Sequence, residues 1–190
     1  MKRNTKILLA TTIGLFAIAV ALSIGVFSIQ NKSNVTGATE ITLYQGITEF
    51  DTEPKSFQDL LALEKPLIVN FWGASCPPCL KEIPLLQQIH EKYSSKITVL
   101  GVDMGPNFIL GSHEQGKVLL SELGATYPAG IVNFQKSREQ PNHYQLNGEF
   151  ITGLPSTFFM NSEGKIIKRS LGLLQADTLY DIAEALIESH

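Results

Sequence analysis

The run Pro66-Leu67-Ile68-Val69-Asn70-Phe71-Trp72 stops at Gly73, and from Pro77 the apolar spacing turns helical. A short, nearly unbroken apolar run of this kind reads as a strand buried on both faces. Pro77 to Tyr93 then carries Leu80, Ile83, Leu86 and Ile89 on one helical face. Its prolines stand where a first turn has N–H groups to spare. Lys96 to Met104 is a second apolar run. Strand, helix and strand in that order call for a crossover connection, hence a parallel pair and an α/β fold.

The rest of the chain extends that unit. Ile41 to Phe50 has weak strand character, and Ser56 to Leu63 reads as a short helix. A helix near Ser112–Leu123, a strand near Ala129–Phe134 and a looser, partly helical stretch to Gln145 follow. Ser156–Met160 and Lys165–Ser170 flank the turn sequence Asn161-Ser162-Glu163-Gly164 and predict a hairpin. Gln175 to Ser189 closes the chain as a helix, with Leu179, Ile182, Ala183 and Leu186 on one face. The expected domain, residues 41–190, is α/β with a mostly parallel central sheet and one antiparallel edge hairpin.

Ahead of it, Ile7 to Ile29 forms a 23-residue run without a charge, behind Lys2, Arg3 and Lys6. As a helix it would be about 35 Å long, enough to cross a hydrocarbon layer of roughly 30 Å. Basic residues 1–6 would keep the N-terminus cytoplasmic, 7–29 would be a transmembrane signal-anchor, and the polar, small residues 30–40 a linker. Ala19-Val20-Ala21 leaves cleavage as a signal peptide open. Either way, the domain is extracytoplasmic.

Without the first three cations, 12 basic residues face 18 acidic ones from residue 31 onward, a formal −6. A domain that acidic has no basic footprint for nucleic acid. Gly111 to Val118 imitates a phosphate loop, but Val118 lacks the hydroxyl that such a loop offers magnesium, so nucleotide is not an expected ligand.

The two cysteines, Cys76 and Cys79, lie too close together to staple a fold of this size. Their place is chemical: a strand ends just before them and a helix begins with them. Helix N–H groups favour a thiolate on Cys76, which would sit exposed at the N-cap and attack a partner disulfide. Cys79, one turn in and more buried, would resolve the mixed disulfide. Four-ligand zinc has no second cysteine pair to use, and the four histidines are scattered, so no metal or cofactor is expected. Cu(I) held by the two sulfurs is the alternative from another class.

Phe71-Trp72-Gly73 before Cys76-Pro77-Pro78-Cys79, Glu82-Ile83-Pro84 after it, and Gly153-Leu154-Pro155-Ser156-Thr157-Phe158-Phe159 further on resemble the thioredoxin superfamily. More narrowly they are similar to the membrane-anchored TlpA/ResA-type thiol–disulfide oxidoreductases. The resemblance implies a thioredoxin-like fold, a cis bond before Pro155, and substrate contacts at Pro155, Leu154 and Trp72. It also implies an acidic residue at Glu82, three positions after Cys79, able to manage a proton. Asn70 stands where thioredoxins proper place a buried Asp, and an Asn cannot titrate. By the same resemblance the partners are protein disulfides, those of apocytochromes c or of other exported proteins with wrong disulfides; because the setting outside a membrane is oxidising, a reductase there would need electrons from a membrane thiol donor.

One departure bears on substrate, and the two residues between the cysteines bear on direction. Ser75 stands where the family usually has Trp, which removes an aromatic wall from the substrate groove. Pro77 and Pro78 withhold two amides from the Cys76 thiolate, which favours a more reducing couple and a reductase over a disulfide-inserting oxidant.

Overall fold

The computed structural model describes residues 38–134 and 144–189. The segment 7–29 read as an anchor lies outside them; among the described residues no helix is long and apolar enough to cross a membrane.

Among the described residues, eight strands and five α-helices form in the order β1 (Ala38–Gln45), α1 (Phe57–Leu61), β2 (Leu67–Trp72), α2 (Pro77–Tyr93), β3 (Thr98–Asp103), α3 (Gly105–Phe108), α4 (His113–Glu122), β4 (Ala129–Phe134), β5 (Tyr144–Leu146), β6 (Glu149–Ile151), β7 (Ser156–Met160), β8 (Ile166–Leu171) and α5 (Ala176–Glu188). The main sheet has the order β1-β4-β3-β2-β7-β8. The expected β2–α2–β3 unit is present, with Leu67 opposite Thr98 and Trp72 opposite Asp103 in parallel register. The expectation of a mostly parallel sheet is corrected: β2–β3 and β3–β4 are parallel, whereas β1–β4, β2–β7 and β7–β8 are antiparallel. The sheet is mixed because β1 on one side and β7 on the other run against their neighbours, and β8 returns beside β7 through a tight turn.

Every residue of β2 and β3 is buried, which is why these strands read as unbroken apolar runs. One face of the sheet packs Ile68, Val99 and Phe159 against Ile83 and Leu86 of α2 and Leu179 and Ala183 of α5. The other packs Val69, Phe71, Leu100 and Phe158 against Phe57 and Leu60 of α1. Leu146 and Ile151 from the small hairpin β5–β6 complete that second layer. Of the looser, partly helical stretch expected to Gln145, residues 135–143 lie outside the described residues, and its end, Tyr144–Leu146, is a strand. Its turn, Asn147-Gly148, has positive φ at both positions (52° and 80°), the conformation that a two-residue hairpin turn requires.

Gly130 of β4 fixes how closely β1 can approach. A Cβ there would lie 2.2 Å from the Thr42 carbonyl oxygen and 2.8 Å from Leu43 Cα. Both are backbone atoms of the paired strand, so no rotamer can yield. Gly130→Ala is expected to cost about 3 kcal/mol, the upper part of the overpacking range. For a chain of this size that lowers Tm by roughly 6–12 °C. An unchanged melting curve would show that β1 does not pair in this register.

Candidate active site

The active-site turn leaves the C-terminal end of β2. Cys76 is the N-cap of α2 in extended conformation, with Pro77 and Pro78 at the first helical positions. Ser75 N–H donates to the Leu110 carbonyl at 2.8 Å, Cys76 N–H to Gly73 at 3.2 Å, and Leu80 N–H to Cys76 at 3.2 Å. The two sulfurs are joined as a disulfide, with Cα atoms 5.2 Å apart. Cys79 is 1% exposed, as expected of the inner cysteine. Cys76, expected to be exposed, is only 2% exposed. Its bond to Cys79 draws the sulfur toward the buried side of the helix, where both join the core cluster under α2.

Glu82 is fully buried. Its Oε2 accepts from Asn70 Nδ2 at 2.7 Å and from Thr157 Oγ1 at 3.2 Å, and its Oε1 accepts from Leu174 N–H at 2.9 Å. Asn70 Nδ2 also donates to Thr157 Oγ1 at 2.8 Å. Burial pushes the Glu82 carboxyl above the usual carboxylate range, against the pull of the Leu174, Thr157 and Asn70 hydrogen bonds. Tyr127, also buried, has its hydroxyl pushed up by burial and then by the Glu82 charge. Asn70 Oδ1, Trp72 Nε1 and Tyr127 Oη are buried without partners among the described residues.

The Leu154–Pro155 bond is cis. Pro155 is buried and Leu154 half-buried, and Pro155 C=O accepts from Gly172 N–H at 2.8 Å. Among the described residues, neither backbone polar group of Leu154 has a hydrogen-bond partner. Trp72, expected to touch substrate, is fully buried beneath the motif. Lying on a strand covered on both faces, it offers no surface to a partner chain.

Two groups that sequence reasoning missed complete the site. Thr157 was quoted within the Gly153–Phe159 motif, but its role comes from pairing opposite Asn70 across β2 and β7. Asp103, at the end of β3, accepts from Gly105 N–H at 2.9 Å and Tyr44 Oη at 3.3 Å, and lies 2.9 Å from His113 Nδ1. It thereby ties both ends of the segment 104–112, which holds α3 and whose Leu110 carbonyl holds the active-site turn. No local pattern marks Asp103 and His113, which are ten positions apart on different elements. Among the described residues, no three His, Cys, Asp or Glu side chains are grouped to hold a metal ion.

A disulfide-bonded Cys-x-x-Cys that caps the helix leaving a central strand, with a cis-proline loop in the same sheet, defines a class: the thioredoxin-like thiol–disulfide oxidoreductases. Within it, the chain belongs to the AhpC/TSA family, whose sequence model matches residues 38–169. The protein named thiol–disulfide oxidoreductase ResA of Bacillus thuringiensis (strain Al Hakam) is 25% identical over 158 residues, 73% of this chain and 82% of its own. The protein of that name from Oceanobacillus iheyensis is 24% identical over 182 residues, 94% of this chain and 88% of its own. In fold, a thiol–disulfide isomerase from Corynebacterium glutamicum superposes with a TM-score of 0.57 at 21% identity, covering 79% of this chain and 95% of that one. The ResA-type resemblance seen in the motifs is borne out.

Proposed function

We propose that this protein reduces disulfides of exported proteins from the outer face of a membrane to which residues 7–29 anchor it, with 1–6 cytoplasmic and the polar residues between that segment and β1 as the tether; of the expected linker 30–40, residues 38–40 belong to β1. The observation that carries this reading is the Cys76–Cys79 disulfide at the start of α2, one turn from the buried, hydrogen-bonded Glu82. In the reduced form the Cys76 thiolate attacks one sulfur of the substrate disulfide, and the other substrate sulfur leaves and takes up a proton. Cys79 then gives its proton to the Glu82 carboxylate and attacks Cys76 Sγ. The second substrate sulfur leaves as a thiolate and takes up a proton from water, so that two electrons and two protons have passed to the substrate. A membrane dithiol donor reverses the change in the enzyme by attacking its disulfide, and Glu82 returns the proton to Cys79. Leu154, whose backbone groups have no partner among the described residues, pairs with the substrate chain as an added strand would. Apocytochromes c, whose haem-attachment cysteines must be kept reduced, fit as clients.

The two prolines support the reductive direction, because neither supplies an N–H to the Cys76 thiolate. The test is the reduction potential of the full chain in detergent micelles, with Cys76→Ser as control. A value at or below about −250 mV is expected, whereas one near about −120 mV would make the protein an oxidant. Absence of any reversible two-electron couple would overturn the enzymatic reading in favour of metal binding.

A further inference from the structure

Beside the active-site turn lies a groove that the chemistry above does not use. It is lined by Ala74 and Ser75, the two residues before Cys76, and by Glu114, Val118, Leu119 and Glu122 of α4, around about 370 Å³. A large aromatic at position 75 would occupy part of this space; the Ser side chain leaves it open. Val118 is 56% exposed there. Glu114, Val118 and Glu122 are spaced four apart and form one stripe along the helix. Glu114 is met by Lys117 Nζ at 2.8 Å. Glu122 is the last residue of α4, at the negative end of the helix dipole, in a last turn without a basic residue. Among the described residues, none of the ion pairs includes it. In the free protein its charge is therefore unfavourable where it stands.

We propose that this groove selects substrates carrying Lys or Arg one or two residues from the reacting cysteine. The aliphatic stem would cover Ala74, Val118 and Leu119 while the cation reaches Glu122, which is how long basic side chains divide between apolar and polar surroundings. An extended chain advances about 3.3 Å per residue, so a substrate sulfur bonded to Cys76 brings its neighbours over Ser75 and Ala74. The excess of 18 acidic over 12 basic residues from residue 31 onward favours the same partners at longer range. The inference rests on the oxidoreductase reading and adds to it the chemistry of the preferred client.

The test uses the reduced full chain in detergent micelles and two disulfide-bonded peptides that differ only in Arg or Glu beside the cysteine. In each reaction the enzyme dithiol becomes a disulfide and the peptide disulfide becomes two thiols. The Arg peptide is expected to react about three- to tenfold faster in kcat/KM at low salt, the span of a favourable exposed charge contact with some apolar burial. Glu122→Lys and the groove-filling Ser75→Trp should each bring that ratio to about one, as expected when the contact responsible for the difference is removed. Glu163→Lys makes the same charge change at the opposite end of the sheet, on the turn after Met160, which pairs with Leu67 rather than with the active-site end of β2. It should keep the ratio. Equal peptide rates overturn the groove, as does a ratio that survives both groove variants. A ratio lost equally in Glu163→Lys assigns the preference to net charge and overturns it too. Hydroxyethyl disulfide, small and uncharged, separates the two readings: if it fails to oxidise the dithiol, the oxidoreductase reading itself falls.

Discussion

A reduced Cys79→Ser chain couples to a substrate disulfide through Cys76 and stays coupled. Cys79 is the partner in the disulfide, buried one turn into α2 with its Cα 5.2 Å from that of Cys76. Its sulfur is thus held beside the mixed disulfide at an effective concentration that no dissolved thiol matches. Replacing it leaves resolution to external thiol at millimolar concentration, so turnover should fall by roughly a thousandfold or more. Non-reducing mass spectrometry should find one substrate molecule per chain. Cys76→Ser should give no adduct, because the remaining sulfur lies one turn inside α2 rather than at its N-cap. The opposite pattern, trapping by Cys76→Ser and cycling by Cys79→Ser, would exchange the two roles.

The cysteine pair was legible in the sequence because a local change of period put it at a strand-to-helix junction, and helix α2 runs over the residues read from that pattern, Pro77–Tyr93. The cis bond before Pro155 was legible only through resemblance. Strand direction was legible only locally: the parallel β2–β3 pair followed from the crossover helix and the antiparallel β7–β8 pair from its turn, but β7 lies antiparallel beside β2 because of where the chain returns, which no local pattern encodes. The same gap hid the Glu82 cluster. Asn70 and Glu82 were each noticed, but their contact depends on α2 packing over β2, and Thr157 joins them through a pairing 87 positions away from Asn70. The β5–β6 hairpin was a different kind of miss. Asn147-Gly148, with Leu146 before it and Phe150-Ile151 just beyond Glu149, is a strong local turn signal, obscured by the polar residues before it.

Glu82→Gln is expected to keep the fold and lose the proton. The fold survives because Asn70 Oδ1 has no partner among the described residues. Reversing the Asn70 amide presents that oxygen to the new Gln NH₂ group, while the Gln carbonyl still accepts from Leu174 N–H. Activity does not survive as well. Positioned proton transfer contributes about 10²- to 10⁴-fold, so resolution by Cys79 should slow by at least about a hundredfold near neutral pH. The pH dependence separates this from loss of packing. In the native chain Glu82 accepts a proton only when ionised, so resolution accelerates as pH rises through its raised pKa; in the variant that limb disappears. Stability follows with the opposite sign. A carboxyl whose pKa is raised on folding stabilises the folded state fully below its unfolded pKa and ceases to do so as pH rises through the folded value. The native chain should therefore lose stability across that window and Glu82→Gln should lose less, as read from denaturant midpoints at a series of pH values. A variant slowed equally at every pH, with a lower midpoint throughout, would make Glu82 a packing residue and return proton handling to solvent.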